Sequence, residues 1–381
     1  MTVYRGLTWD HPRGYQALFA AAEKTRSAEF EIRWEKQPLE GFESHAIEDL
    51  AARFDLIVLD HPHVGEAAKA ACLRPLDEIF DNHFIERLQR EAIGPAFSSY
   101  IYAGRSWALP LDAAAQAMAA RTDLLEGPLP VTWAEVEALA AKKPVCLSLA
   151  GPHALLTFLS LCVALGRPPA HPDPDRLVDP ETGLAALDIL SGLYARMTRV
   201  ALALNPIGIL ERMKRSNDIA LCPLVFGYVN YARSNSPSDH AVAFANAPAI
   251  KPGGRPGSTL GGTGIAVTRR CEATPALVGH LEWLMDSTTQ ETFIPAEAGQ
   301  PGLRSVWASE AVNAAWGNFY HATRETLEAA WVRPRHPGYI DFQTQASAIL
   351  REALETREAP GMALAKLQQR YALSRVGREP L

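Results

Sequence analysis

Apolar residues along the chain alternate between two spacings. Short runs are continuously apolar or apolar at every second position, and longer runs repeat every three to four. Thr2–Thr8 reads as a strand that ends in the loop Trp9–Gly14. A helix follows over Tyr15–Thr25, then a second strand at Glu29–Glu35. Phe54–Leu59 is apolar throughout, as expected of a strand covered on both faces. It stops at Asp60-His61-Pro62-His63, and a helix begins near Gly65. This alternation predicts an α/β protein built on open parallel sheets with helices on both faces.

Several helices carry their own end signals. In TWAEVEALA, Thr132 and Glu135 have the spacing of a capping box, in which each side chain satisfies a backbone N–H of the first turn. Asp179-Pro180 and Thr274-Pro275 each offer an N-cap followed by a proline in the first helical position. Behind these signals, Leu187, Leu190, Tyr194 and Met197 fall on one helix face, and Leu277, Leu281 and Leu284 on another. Phe342, Ala346, Ile349 and Leu354 predict one more packed helix near the end. Two Gly/Pro-rich stretches, Ala247–Gly264 and Pro295–Gly302, are bracketed by apolar periodic segments and read as ordered loops rather than tethers.

Length and composition narrow the class. A chain of 381 residues is long enough for two or three domains, and 48% hydrophobic against 21% charged residues supports a large core. A formal net charge of −6 argues against non-specific affinity for nucleic acid or an anionic membrane, both of which need a basic field. No apolar run reaches the length of a membrane-spanning helix. The five cysteines (Cys72, Cys146, Cys162, Cys222 and Cys271) lie far apart with no CxxC pair, so neither a zinc knuckle nor a disulfide framework is expected. MTVYRGLTWDHPRGY has no basic segment, apolar segment or small-residue cleavage site. The expectation is a chain without its own export signal, either trimmed or resident in the cytoplasm.

With the elements in order, the chain resembles the extracellular solute-binding proteins of the maltose-binding type, family 1. The likeness is carried by GLTWDHPRGY, FDLIVLDHPHVGEAAKAACLRPLDEIF, YAGRSWALPLDAAAQAMAARTDLL with PLPVTWAEVEALA, ALCPLVFGYVNYA, GGTGIAVTRRCEATPALVGHLEWLMDSTTQETF, and the Trp331–Pro337 region before the last helices. Each segment is weak alone, and their common order carries the assignment. The resemblance implies a type II periplasmic-binding-protein-like fold: two α/β lobes, a ligand cleft between them and a hinge that closes it. It places lobe one at 1–110 plus 259–305 and lobe two at 111–258 plus 306–381. It further implies a small-molecule ligand, ABC permease subunits as partners, a periplasmic location, a monomer and no cofactor.

Candidate ligand residues follow from the rule that open α/β sheets bind ligands beyond the carboxyl ends of their strands. The loop after the first strand offers Trp9, His11, Arg13 and Tyr15: aromatic rings to stack, and a guanidinium able to grip a carboxylate or phosphate. The loop after the third offers Asp60, His61 and His63, and with His11 these could also ligate zinc, although hydrogen bonding is the more ordinary use. Asp112 and Gln116 follow the crossover at Leu109-Pro110. Ser148 and His153 lie where a helix N-terminus could take an anion. After the strand Ile219–Leu224, Phe226, Tyr228 and Tyr231 cluster; the resemblance implies stacking on a sugar, and core packing is the alternative. Gly261-Gly262-Thr263 leaves backbone N–H groups open to close approach, but no Lys-Ser/Thr follows, so this is not a nucleotide loop.

These readings converge on a passive binding protein for a sugar-like or carboxylated solute, with no catalytic residues. The alternatives are an enzyme on the same fold, with Cys146 or Cys222 as nucleophile, and a cytoplasmic ligand sensor.

Overall fold

The computed structural model describes residues 1–233, 236 and 239–376. Among them run eleven strands: β1 (Thr2–Trp9), β2 (Phe30–Gln37), β3 (Leu56–Leu59), β4 (Leu73–Arg74), β5 (Ile101–Tyr102), β6 (Arg105–Ser106), β7 (Leu109–Asp112), β8 (Gln116–Ala120), β9 (Leu221–Phe226), β10 (Ala243–Ala245) and β11 (Thr263–Thr268). Six of them form one sheet in the order β2-β1-β3-β11-β4, with β7 also paired to β11. Another three form a second sheet, β10-β8-β9, and β5 and β6 make a small hairpin. The first sheet draws on residues 2–112 and 263–268 and the second on 116–245, so the chain passes between the two α/β lobes more than once.

Only part of the first sheet is parallel. β1 runs parallel to both β2 and β3, with Gly6 opposite Trp34 and Leu56. A Cβ on Gly6 would come within 2.4 Å of the Trp34 ring, so glycine lets that indole pack directly on the strand backbone. β11 runs antiparallel to β3, with Gly264 opposite Leu59, and antiparallel to β4 and β7. The second sheet is antiparallel throughout. The expectation of parallel sheets is therefore corrected, and connectivity gives the reason. β1 and β3 end at the edge that faces the second lobe. The chain returning from that lobe enters the first sheet at the same edge, so β11 must run the opposite way.

The local signals behave as their chemistry requires. Thr132 and Glu135 form the reciprocal capping box of the Trp133–Ala140 helix. The Asp179 carboxylate accepts from Thr182 N, and the Thr274 hydroxyl from Leu277 N. Where the sequence predicts one terminal helix, two are present: Tyr339–Thr356 and Pro360–Arg375. Arg357 breaks the helix at φ 57°, and the Phe342 and Tyr371 rings pack the two together with centroids 5.1 Å apart. On the second sheet, Met118, Leu221 and Leu224 face a core with Phe158, Leu190 and Phe342. Ala119, Cys222 and Val225 face the opposite core with Ile209 and Met213. In β8 that alternation is the period-two pattern of a strand buried on both faces; in β9 a register shift against β8 interrupts it, so Leu221 and Leu224 share a face three residues apart. The second of these cores runs unbroken through Leu111 and Leu260 into Ile32 and Val58 of the first lobe. No helix among the described residues is long and apolar enough to cross a membrane.

Candidate functional site

The carboxyl ends of β1, β3 and β9 and the start of β11 meet between the two sheets. They enclose a cavity of about 40 Å³. A space of that size holds a few water molecules and no sugar, so the lobes are drawn close together there, although the cavity still opens to solvent. Of the residues expected from the sequence, Trp9, Arg13, Asp60, Phe226, Tyr228, Gly261, Gly262 and Thr263 line it. Leu39, Phe42, Glu43 and Ala114 also line it and were not anticipated. The first three come from the short Leu39–Ser44 helix. A signal for them did exist: β2 runs parallel to β1, so the loop after β2 opens on the same edge.

Arg13 sits in the wall with its charge already matched. Its Nε donates to Asp112 Oδ2 at 2.9 Å, its Nη2 donates to Asp112 Oδ1, and its Nη1 donates to Gly227 O at 2.9 Å. Burial works against this guanidinium, and Asp112 outweighs it, so the pKa lies above its ordinary range. The sequence suggests Arg13 as a grip for a ligand carboxylate, but in the structure Asp112 takes that place. The cation also lies over the rings of Trp9, at 5.5 Å, and Tyr228, at 4.6 Å.

Asp60 is matched in the same way. Its carboxylate accepts from Arg333 Nη2 and from the His61 amide at 2.9 Å. Burial would raise its pKa, but Arg333 and then His61 outweigh that and hold the group well below the usual carboxylate range. Arg333 also donates to Gln343 at 3.1 Å, tying the β3 loop to a second-lobe helix. His61 is buried behind the wall, where its Nε2 accepts from Arg333 N at 3.3 Å. Burial and then Arg333 lower its pKa to about 4. His63 is buried nearby with neither ring nitrogen hydrogen-bonded within the protein, and burial lowers its pKa too.

The remaining expected residues lie outside the cavity lining. His11 stacks on Trp9 with centroids 5.5 Å apart, and its Nε2 is 3.5 Å from the Tyr231 hydroxyl. Burial and then Arg13 lower its pKa to about 3, so the ring is neutral at physiological pH. Tyr15 packs against Phe19, with Lys36 over its ring. Gln116 is a buried joint between segments: its Oε1 accepts from Ser160 Oγ at 2.7 Å, and its carbonyl from Ser258 Oγ at 2.7 Å. Ser148 is fully buried. His153 opens the His153–Ala164 helix, but the position ascribed to an anion is occupied by Glu43, whose Oε1 lies 3.4 Å from His153 Nε2.

The diglycine turn is explained by close packing rather than by open N–H groups. The Gly261 amide donates to Ala114 O at 2.8 Å, and a Cβ there would sit 2.5 Å from the Phe226 ring. Gly262 has φ 84°, and its Cβ would meet Asp112 O at 2.3 Å. Neither cysteine considered as a nucleophile is near the cavity. Cys146 and Cys222 are fully buried, and contact with Cys222 together with burial pushes the Cys146 thiol well above its ordinary pKa, the opposite of an activated thiolate. Among the described residues, no three His, Cys, Asp or Glu side chains are grouped as metal ligands.

No family model matches the sequence, and no curated protein matches it. Solved structures do match in fold over nearly the whole chain. An ABC transporter solute-binding protein from Agrobacterium radiobacter, in complex with ribitol, is 20% identical with a TM-score of 0.80 and covers 98% of each chain. Maltose-bound MalE3 of T. maritima is 19% identical with a TM-score of 0.82, covering 97% of this chain and 99% of its own. The GacH receptor of Streptomyces glaucescens, solved unliganded and with acarbose, is 16% identical with a TM-score of 0.80 and covers 99% of each chain. The fold expected from the sequence, two α/β lobes of the type II periplasmic-binding-protein-like kind, is the fold of these proteins.

Proposed function

We propose that this protein is the solute-capturing component of an ATP-driven importer. It holds a small polar solute between its lobes and presents the closed form to permease subunits outside the cytoplasm. One observation carries the reading: strand ends from two separate sheets converge on a single cavity walled by aromatic rings and charged groups. Full-length likeness to sugar- and polyol-bound solute-binding proteins supports it. The lobes are taken as 1–110 plus 259–305 and 111–258 plus 306–381. The ligand is placed against Trp9, Phe42, Glu43, Phe226 and Tyr228.

Because the cavity is too small for such a solute, the lobes must part to admit it and then close on it. Solution scattering is therefore expected to show a larger radius of gyration for the free protein than for the saturated one. A ligand at 100 times its Kd adds about 2.7 kcal/mol of stability, which a thermal-shift screen of sugars, polyols and their charged derivatives detects. If no compound in a broad screen raises the melting temperature or compacts the protein, the reading fails.

A further inference from the structure

The charges around the cavity do not cancel. Three charged side chains line it: Arg13, Asp60 and Glu43. Arg13 is matched by Asp112 behind it, and Asp60 by Arg333. Glu43 has no lysine or arginine partner among the described residues, and its neighbour is the His153 ring at 3.4 Å. With both ion pairs complete, the cavity presents one carboxylate in excess and no free cation. Its side chain is 20% exposed, enough to be reached from the cleft.

The aromatic walls divide in the same sense. Arg13 already lies over Trp9 and Tyr228, and His11 stacks on Trp9. Among the described residues no lysine or arginine lies over Phe42 or Phe226, whose rings pack against Trp9 and His153. An unmatched carboxylate in a cavity that also exposes aromatic walls is the chemistry that receives an ammonium group. An anionic solute would have to bring its charge beside Glu43, with both cations of the walls already paired.

From this pairing we infer that the transported solute is cationic: a small amine-bearing polyol or sugar, its ammonium at Glu43 against the Phe42 and Phe226 rings and its hydroxyls toward the opposite wall. The inference rests on the solute-binding reading and adds the charge of the ligand. Hydrogen bonds to a charged partner correspond to about a 10- to 100-fold gain in affinity.

The test is a calorimetric and thermal-shift comparison at pH 8 of matched compounds that differ at one carbon: polyols of three to six carbons, their 1-amino-1-deoxy forms and their aldonic acids. Ribitol, aminodeoxyribitol and ribonate make one such set. Within the best-bound set, the amine is expected to bind at least about 10-fold tighter than the neutral polyol, and the acid weakest. Glu43→Gln should remove the amine's advantage, so that amine and polyol bind with similar affinity. Glu43→Asp, which keeps the charge, should retain part of the preference even if the glutamine variant folds poorly. Tightest binding of neutral or acidic members, or an amine preference that survives Glu43→Gln, overturns the inference while leaving a solute-binding protein in place. No binding and no compaction by any member overturns both readings.

Discussion

Arg13 and Asp112 are both buried, and each is the other's main compensation. Removing one partner strands a charge in a low-dielectric wall. Arg13→Ala is therefore expected to lower the unfolding free energy by about 3–5 kcal/mol in urea denaturation. Replacing both partners, Arg13→Met with Asp112→Leu, should recover most of that loss; a double variant as unstable as the single would show that the pair's position, not its charge, matters. At Gly262 the backbone is left-handed, and a methyl group would strike Asp112 O at 2.3 Å. Gly262→Ala should cost more than about 1 kcal/mol, read as a lowered melting temperature, because the contact is to backbone and has little room to yield. At this scale the sequence tells which residues stand at the strand ends, and Trp9, Asp60, Phe226 and Tyr228 line the cavity. It misleads on what Arg13 does, because its partner lies 99 positions away along the chain. Glu43, from a short helix after β2, stands on the same edge as the other lining residues, but nothing in LEGFES itself marks it as facing His153 across the cleft.

Elements whose ends depend on their own neighbours in sequence come out as read. The capping box at Thr132 and Glu135 is closed by atoms three residues apart, and its side chains form both bonds. Thr132→Ala is expected to cost about 1 kcal/mol in thermal or chemical unfolding, with ligand binding unchanged, since the helix start lies away from the cavity lining. Strand direction is another matter. Ile265–Thr268 is legible as apolar and extended, but its antiparallel course beside β3 comes from where the chain re-enters the first lobe. The terminal region shows the same division. The apolar stripe of Phe342 and Ala346 belongs to a helix with nine buried residues, whereas the second helix, Pro360–Arg375, buries only Ala363, Leu367 and Tyr371, one per turn, and so has a narrower pattern.

Taken as a whole, the molecule should be sensitive to acid in a defined window. Burial, with Arg333 acting on His61 and Arg13 on His11, lowers the pKa of His61 to about 4 and of His11 to about 3. Burial alone lowers that of His280 to about 4. Unfolded, each ring would take a proton near pH 6.5. Between about 6.5 and 4 the unfolded chain therefore binds more protons, and stability falls as pH drops, by about 1.4 kcal/mol per pH unit for each such histidine. Urea midpoints measured at pH 7.5, 6 and 5 should decline in that order, and equal midpoints would mean that these rings are charged in the folded protein. The amino-acid order alone was enough to establish the alternating α/β plan, the helix starts and the strand-end loops, because each depends on residues close together in the chain. Which cations were already paired, which carboxylate was left over and which way β11 runs were settled only by folding, since every one of them depends on groups brought together from distant parts of the sequence.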